Sequence, residues 1–357
     1  MAKKQSSSVK QDKLKVLDQQ QGNGYVLING DSCEAIKGIP DNSIDLTVSS
    51  PPFENLYTYS PSPRDMGNNP DSLKFFEHFD FLIQELYRVT TPGRLAVMHC
   101  KDLPLYKGRD GAAGLRDFPG DIIRAFEKHG WVFHSRVTIW KDPVTEMQRT
   151  KNNGLLHKTL CRDTSQSRQG MADYLIVMRK WSGEMEGLME STKPVTRGSE
   201  LVRFSEYIGE EGPTRYKPGP SPYAGEWWSQ EDCDRQFSID VWQRYASPVW
   251  FDINQTNVLN SDLSREPGDE RHICPLQLDL IARCVELWSN PGDVVFDPFN
   301  GVGSTGYESL KMGRNYIGIE LKPSYFKVAC QFLSVVANDS QQQLDLLDLL
   351  SISSSAA

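Results

Sequence analysis

Long hydrophobic runs are missing from this sequence. No stretch of the 357 residues approaches the roughly 18 to 20 consecutive apolar residues that a bilayer-spanning helix needs. Residues 1–13 carry lysines but no apolar segment follows them, so the pattern of a secretory signal is missing as well. We therefore expect a cytoplasmic protein.

Paired cysteines are missing too. The seven cysteines are odd in number and widely spaced, and no two of them form a C-x-x-C pair. This distribution argues against a disulfide framework and against a zinc ribbon. We expect reduced cysteines that serve in packing, and no metal site.

Positive charge is scarce: 39 Lys and Arg face 47 Asp and Glu, for a net charge of −8. Binding to nucleic acid depends on Lys and Arg that neutralise phosphates, so this average speaks against it. Between residues 141 and 180, however, eight basic residues face four acidic ones. This stretch is interpreted either as a phosphate-contacting face or, equally, as a solvated loop. Its candidate DNA-binding residues are Arg149, Lys151, Lys158, Arg162 and Arg168.

Short apolar runs that alternate with helical patterns indicate an α/β fold, built on a parallel sheet with crossover helices. Two amphipathic patterns predict helices at 72–89 and at about 275–288. The predicted strands are residues 25–29, 44–49, 94–99, 132–140, 174–178, 294–296 and 316–319.

Interruptions of this alternation predict the domain organisation. Residues 1–24 are polar and are predicted to be disordered. Residues 181–271 contain prolines, glycines and tryptophans without alternating strands and helices, and we interpret them as an inserted module. Residues 338–357 are predicted to be a polar C-terminal tail. The two halves of a single α/β domain would then be 25–180 and 272–337.

A glycine loop between a predicted strand and a predicted helix has the sequence Asp-Pro-Phe-Asn-Gly-Val-Gly-Ser-Thr-Gly, at residues 297–306. Glycines let the backbone approach a ligand closely, and a helix N-terminus favours a carboxylate or phosphate. The next predicted strand is followed by Glu320, where an acid can accept both hydroxyls of an adenosine ribose. The segment predicts a site for an adenosine-containing cofactor.

The same loop fits the dinucleotide fingerprint of a nicotinamide-dependent dehydrogenase, because Gly301, Gly303 and Gly306 have the G-x-G-x-x-G spacing. Only 37 residues follow Glu320, however, and many of them belong to the polar tail. The other strands of the sheet must therefore precede the loop. This permuted order makes the dehydrogenase the weaker interpretation.

A Ser-Pro-Pro-Phe tetrad, residues 50–53, directly follows the predicted strand 44–49. Pro51 and Pro52 fix two φ angles and remove two N–H donors, so the end of the strand presents carbonyl oxygens rigidly. The Ser50 hydroxyl and the Pro51 carbonyl are suited to hold the hydrogens of an exocyclic amino group, so that its lone pair faces a methyl donor. Phe53 would stack on a flipped base. The alternative for this motif alone is a turn in which the prolines only end the strand.

Together the tetrad and the glycine loop resemble the permuted beta group of DNA amino-methyltransferases, over about residues 25–180 and 250–335. The resemblance implies a Rossmann-like, S-adenosylmethionine-dependent methyltransferase fold, circularly permuted, with 181–271 as an inserted target-recognition region. It also implies double-stranded DNA as a partner, a restriction endonuclease as the companion of some members, and a bacterial or phage origin.

The resemblance also implies the roles of individual residues. In the family, D-P-F-x-G-x-G-[ST]-T binds S-adenosylmethionine, the acid that ends YIGIE binds its ribose, and the acid of Gly30-Asp31-Ser32 lies beside its adenine. The segment from His272 to Pro275 resembles the one that shapes the methionine end of the pocket. The implied cofactor-binding residues are Asp31, His272, Pro275, Asp297, Phe299, Asn300, Gly301, Gly303, Ser304, Thr305 and Glu320.

The target base is suggested by the first residue of the tetrad. Adenine enzymes of this group usually begin it with Asp, so Ser50 favours cytosine N4, with adenine N6 as the alternative. A cytosine-C5 enzyme needs a Pro-Cys nucleophile, and here Cys274 precedes Pro275 instead. The loop with Tyr57 and Tyr59 is interpreted either as a lid over the base or as a plain surface loop.

The sequence is also compatible with two other classes of protein. RNA and protein methyltransferases use similar Pro-Pro tetrads, and a cofactor-binding subunit without activity would share the glycine loop. The complete tetrad argues against an inactive subunit.

Overall fold

A computed structural model describes residues 16–53, 72–150, 167–181, 244–260 and 275–354, together with positions 66, 154, 155, 157, 160 and 165. Within these residues a nine-stranded sheet and a two-stranded sheet are present. The strands are β1 Val16–Gly22, β2 Tyr25–Gly30, β3 Ile44–Ser49, β4 Thr90–Lys101, β5 Leu103–Leu105, β6 Gly114–Arg116, β7 Trp131–Ile139, β8 Asp173–Lys180, β9 Val249–Trp250, β10 Val294–Asp297 and β11 Asn315–Glu320.

Helices cover the large sheet. They are α1 Ser32–Ala35, α2 Ser72–Val89, α3 Lys107–Asp110, α4 Phe118–Lys128, α5 Pro143–Thr150, α6 Leu278–Trp288, α7 Ser304–Lys311 and α8 Pro323–Ser354. Among the described residues, none of these helices combines the length and apolar character that a membrane crossing requires.

The large sheet has the strand order β1-β2-β11-β10-β3-β4-β8-β7-β9. The strands from β2 to β4 in this order run parallel to their neighbours. At the two flanks, β1 and β8 pair antiparallel with β2 and β4. The carboxyl ends of the parallel strands therefore meet at one edge of the sheet.

Two apolar layers hold the helices on the two faces of the sheet. On one face, α2 and α4 bury phenylalanines such as Phe79 and Phe126 against Met98 of β4. On the other, α6 packs against β3 and α8 packs against β2 and β11, and Val48 and Val295 are buried in the same layer. Because both faces are covered, β3 is buried at five of its six positions, including those of the polar Thr47 and Ser49.

The predicted helix at 72–89 and all the predicted strands are confirmed, with boundaries that differ by a few residues. The second predicted helix is α6, which begins at Leu278. The predicted parallel sheet is present from β2 to β4, and β8 adds an antiparallel strand between β4 and β7. The end of β7 pairs with the start of β8, so the chain returns at the same edge of the sheet and does not cross over.

Both predicted tails are partly ordered. Residues 16–22 form β1, so the prediction of disorder over 1–24 was wrong for them. This edge strand is polar and mostly exposed, and it therefore lacks the apolar alternation that identifies a strand. At the other end, α8 continues through most of the predicted tail, to Ser354.

The limits of the predicted insertion, 181–271, are too wide. Strand β9 pairs with β7, and Trp250 and Ile253 are buried in the same core as β3 and α6. Arg283 of α6 donates to both oxygens of Asp252 at 2.9 Å and lies 4.8 Å from the Trp250 ring. Residues 249–260 therefore belong to the main domain, whereas 182–243 and 261–271 lie outside the described residues.

Candidate active site

The predicted site residues lie at the carboxyl ends of the parallel strands. Asp31 follows β2, Glu320 ends β11, Asp297 ends β10 and Ser50 follows β3. Strands β10 and β3 are neighbours, paired through Phe296 and Thr47, although they are far apart in sequence. Ligands of open α/β sheets bind at such an edge. The tetrad and the glycine loop therefore meet.

The carboxylate of Asp297 joins the two motifs. One oxygen accepts hydrogen bonds from Ser49 Oγ at 2.6 Å and from the Phe299 N–H at 2.9 Å. The other accepts from Thr305 Oγ1 at 2.8 Å. Burial raises the pKa of Asp297 to about 6, although these three hydrogen bonds act in the opposite direction. The buried carboxylate therefore connects the end of β3 to the glycine loop.

The glycine loop has a left-handed backbone at two glycines, Gly301 with φ 55° and Gly303 with φ 92°. Gly303 precedes α7, and no side chain caps the first turn of that helix. The N–H groups of an uncapped turn form an anion-binding end. Beside Gly301 there is open space, because a Cβ placed there would meet only Phe299 O, at 4.0 Å.

Other glycines and polar residues of the loop serve packing. A Cβ on Gly303 would lie 2.8 Å from Leu333 Cδ1 of α8. Asn300 is buried, and its Oδ1 accepts a hydrogen bond from the Tyr316 hydroxyl at 2.7 Å. Asn300 therefore contacts β11, which the sequence did not indicate.

The two acids of the cofactor prediction lie on neighbouring strand ends. Glu320 accepts hydrogen bonds from the N–H of Gly301 and of Lys322, both at 2.7 Å. Asp31 caps α1 by accepting from the Cys33 N–H at 2.9 Å. Beside it, Ser32 Oγ donates to Pro298 O at 2.5 Å, which draws this turn against the glycine loop.

The side chains of the tetrad differ in exposure. Ser50 is half-buried, whereas Pro51, Pro52 and Phe53 are buried. The Phe53 ring lies 6.2 Å from the His99 ring and 6.3 Å from the Phe118 ring. The predicted stacking of Phe53 on a base stays a prediction, and it would require this ring to present a face that the protein now covers.

A chain of polar side chains leads inward from Ser50, and sequence reasoning missed it. Ser50 Oγ lies 3.1 Å from His99 Nδ1, and His99 Nε2 lies 3.1 Å from Asp173 Oδ2. Lys141 Nζ lies 2.5 Å from the same oxygen and donates to Gln255 Oε1 at 2.6 Å. His99 is 8% exposed and Asp173 5% exposed. Four separate segments of the chain thus meet behind the tetrad.

The carboxylate of this chain is held in its charged form. Burial by itself raises the pKa of Asp173, but the hydrogen bond to His99 and the charge and hydrogen bond of Lys141 outweigh it and hold the pKa well below its usual range. A signal for these residues was available: His99 ends a predicted strand, and Asp173 directly precedes another. The antiparallel pairing of β4 with β8 brings them together, and the sequence did not indicate this pairing.

Several predicted residues are placed elsewhere or cannot be placed. Pro275 is half-buried and precedes α6. Arg168 is half-buried and donates to Gly114 O at 3.0 Å, so part of its hydrogen-bonding capacity is used within the protein. Arg149 lies in α5, but its side chain is not described. His272, Lys151, Lys158, Arg162, Tyr57 and Tyr59 lie outside the described residues.

Comparison with known proteins agrees with this geometry. A family model described as DNA methylase, of the N6 and N4 type, matches residues 44–331. The chain is 26% identical to the type II methyltransferase M.BglII of Bacillus subtilis, over 86% of this chain and 68% of that one. It is 40% identical to the DNA adenine methyltransferase YhdJ of Escherichia coli, over 102 residues that make up 29% of this chain and 32% of that one.

A solved structure shares the fold. It is a candidate DNA modification methylase of Thermus thermophilus, complexed with S-adenosyl-L-methionine, and it matches with a TM-score of 0.55 and 22% identity, over 87% of this chain and 93% of that one. The expected Rossmann-like methyltransferase fold is thereby confirmed, and its permuted order is visible because the tetrad strand β3 precedes the loop strand β10. The chain belongs to the N6/N4 family of DNA methylases.

Proposed function

We propose that this protein transfers a methyl group from S-adenosylmethionine to the exocyclic amino group of a base flipped out of double-stranded DNA, with cytosine N4 as the favoured target. The observation that carries the proposal is the 2.6 Å hydrogen bond between Ser49 and Asp297. It fixes the tetrad and the glycine loop side by side, so the amino group and the methyl donor are held on adjacent strands. Holding two reactants in place supplies much of the catalysis for such a transfer.

The residues at the sheet edge fit the cofactor. The open space at Gly301 admits a ligand to the backbone, and the uncapped first turn of α7 suits the carboxylate of its methionine part. Glu320, at the end of β11, is placed to accept the ribose hydroxyls, and Asp31 follows the next strand. When bound, S-adenosylmethionine supplies the methyl group.

The tetrad would act on the amino group by position. The lone pair of an exocyclic amino group is delocalised into the ring, which makes the nitrogen a poor nucleophile. Acceptance of its hydrogens by Ser50 Oγ and the Pro51 carbonyl favours the pyramidal form, in which the lone pair is directed at the methyl group. Burial of the two prolines keeps the carbonyl in place.

The choice of base has support on both sides. Ser50 at the start of the tetrad favours cytosine N4. The 40% identity to an adenine methyltransferase over 102 residues favours adenine N6. Nucleoside mass spectrometry of DNA from cells that express the chain separates N4-methylcytosine from N6-methyladenine, and we expect N4-methylcytosine.

The first test replaces the hydroxyl of the tetrad. In Ser50→Ala the amino group loses one acceptor, so we expect methyl transfer to DNA to fall about a hundredfold or more, as is typical when a positioned catalytic group is removed. The affinity for S-adenosylmethionine, measured by calorimetry, should stay within about twofold, because Ser50 lies outside the glycine loop.

The matched control is Ser43→Ala, because Ser43 lies just before the opposite end of β3 and its side chain donates to a local carbonyl, Pro40 O, at 2.7 Å. This variant should keep the wild-type rate. The wild-type protein is also offered RNA and protein substrates. Preferential labelling of either one, or full activity of Ser50→Ala, would refute the proposal.

A further inference from the structure

We propose that His99 takes up the proton that the amino group loses on methylation, through the Ser50 hydroxyl, and that Asp173 holds the imidazole in the orientation this requires. The inference rests on the proposed function, since it concerns the same site. His99 would act through Ser50 and is therefore a positioning and relay residue, without contact to the base.

The direction of the hydrogen bonds follows from the chemistry of the partners. Asp173 is ionised and can only accept, so the nitrogen that faces it, His99 Nε2, must carry a hydrogen. In a neutral imidazole the other nitrogen, Nδ1, then has a free lone pair, and it faces Ser50 Oγ at 3.1 Å. The Ser50 O–H donates to Nδ1, which leaves the oxygen lone pairs of Ser50 for the amino hydrogens of a base.

The relay balances the transfer. The amino nitrogen forms a bond to the methyl carbon while the carbon–sulfur bond breaks and its electron pair stays on sulfur. The nitrogen would then carry a positive charge, and it releases one proton to Ser50 Oγ. The proton of Ser50 passes to His99 Nδ1, so Ser50 ends neutral and His99 ends as imidazolium beside the Asp173 carboxylate.

The charges around His99 suit this task. Asp173 on β8 stabilises the imidazolium that forms, in the way a buried carboxylate supports a catalytic histidine. Lys141, which follows β7, lies against the same carboxylate oxygen and is the cation that pairs with Asp173. Gln255, from the segment after β9, bonds Lys141 and is neutral. Ser50 is the neighbour on the β3 side, and it is neutral as well.

The first experiment examines the imidazole without cofactor or DNA. Nitrogen-15 NMR of the full chain distinguishes a histidine protonated at Nε2 from one protonated at Nδ1, and the His99 signals are identified by their loss in His99→Gln. We expect His99 to carry its hydrogen on Nε2 at about pH 8, and Asp173→Asn to weaken that preference. A hydrogen on Nδ1 in the wild-type protein would overturn the proposal.

The second experiment measures single-turnover methylation of DNA between about pH 5.5 and 8.5, the range in which imidazoles change charge. The wild-type rate should rise with pH, because an imidazolium cannot accept a proton. In His99→Gln the rate should fall about a hundredfold or more and lose this rise. Its affinity for S-adenosylhomocysteine should not change, since the glycine loop is intact.

The control is His129→Gln. His129 also lies beside an aspartate, with Nε2 3.2 Å from Asp80 Oδ1, but it lies just before β7, at the opposite edge of the sheet. This variant should keep the wild-type rate and pH profile. If His99→Gln does not fold, the pH profiles of the wild-type protein and of Asp173→Asn test the relay instead. A flat wild-type profile, or variants with the wild-type profile, would overturn the relay.

The two proposals fail in different ways. A wild-type protein that methylates no DNA contradicts the proposed function, whatever the tautomer of His99. A wild-type protein that methylates DNA without any contribution of His99 leaves the proposed function intact and contradicts the relay alone.

Discussion

Asp297 shows how a single residue can link the two motifs of this protein. It begins the glycine motif in sequence, yet its carboxylate is directed into the protein, where Ser49, Thr305 and the Phe299 N–H surround it. A carboxylate in such a place must lose its hydration, and the hydrogen bonds return only part of that free energy. This explains why the pKa of Asp297 rises, to about 6.

The raised pKa predicts a pH-dependent stability. Between the ordinary aspartate pKa of 3.8 and about 6, the folded state binds the proton more tightly than the unfolded chain. The free energy of unfolding therefore falls by up to about 3 kcal/mol as the pH rises through this window. Asp297→Asn keeps an acceptor for Ser49 but cannot ionise, so it should lack this fall.

The measurement is urea unfolding of both proteins at about pH 4 and pH 8, with the advantage of the Asn variant growing by about 2 to 3 kcal/mol between them. Other titrating groups cancel in the comparison. A difference between the two proteins that is the same at both pH values would show that the carboxyl group is not perturbed.

At this scale the sequence predicted which residues gather at the edge, but not all of their contacts. The glycine motif and the tetrad are contiguous in sequence, so they could be recognised. His99 and Asp173 are each one residue on separate strands, and only the antiparallel pairing of β4 with β8 brings them together. Asn300 was predicted only as a cofactor-binding residue, and its hydrogen bond with Tyr316 depends on the neighbouring strand.

At the scale of elements, the helix α7 depends on how closely it can approach β11 and α8. Gly306 lies in its first turn, and a Cβ there would lie 2.4 Å from Tyr316 Cε1 and 2.9 Å from Leu333 Cδ2. Tyr316 is buried and Leu333 belongs to the core, so neither can move without cost. The position of α7, whose N-terminus faces the site, thus depends on Gly306 having no side chain.

This packing predicts opposite effects for two matched substitutions. Gly306→Ala should lower the free energy of unfolding by about 1 to 3 kcal/mol, because overpacking outweighs the gain in helix propensity. Gly108→Ala, also within a helix but with no atom within 4 Å of the new Cβ, should raise it by about 0.5 to 1 kcal/mol. Chemical denaturation measures both, and equal effects at the two positions would contradict the packing argument.

Elements with a strong periodic pattern were predictable, and weak ones were not. α2 carries apolar residues at helical spacing over 18 positions and was found with its full length. β1 is an exposed, glutamine-rich edge strand, and β9 has only two residues. Both form strands because they pair with the backbone of a neighbouring strand, β2 or β7. Their own residues do not indicate this pairing.

At the scale of the whole molecule, the site is assembled from both ends of the chain. Cofactor binding should therefore stabilise the domain as one unit. With S-adenosylhomocysteine at about 100 times its Kd, the free energy of unfolding should rise by about 2.7 kcal/mol. Circular dichroism and tryptophan fluorescence should report a single, coincident transition with and without the ligand. Two separate transitions would show that the halves of the sheet unfold independently.

The permuted order of the whole domain was predictable because the tetrad precedes the glycine loop in the sequence. The limits of the insertion could not be predicted in the same way. The segment with Trp250 and Ile253 lacks a strand pattern, and its burial depends on contacts with β7 and α6. Patterns along the chain predict elements well, but they do not tell which face of another element will cover a short segment.

The pairing of β3 with β10 has a consequence for how the protein is made. Ser49 leaves the ribosome 248 residues before Asp297. At a synthesis rate of about 5 to 20 residues per second, the strand that carries the tetrad waits about 12 to 50 s for its partner. During that time one margin of β3 presents unpaired backbone groups and apolar side chains, which is the kind of surface that chaperones bind and that aggregates form from. Slower translation of the C-terminal third should therefore lower the yield of folded protein.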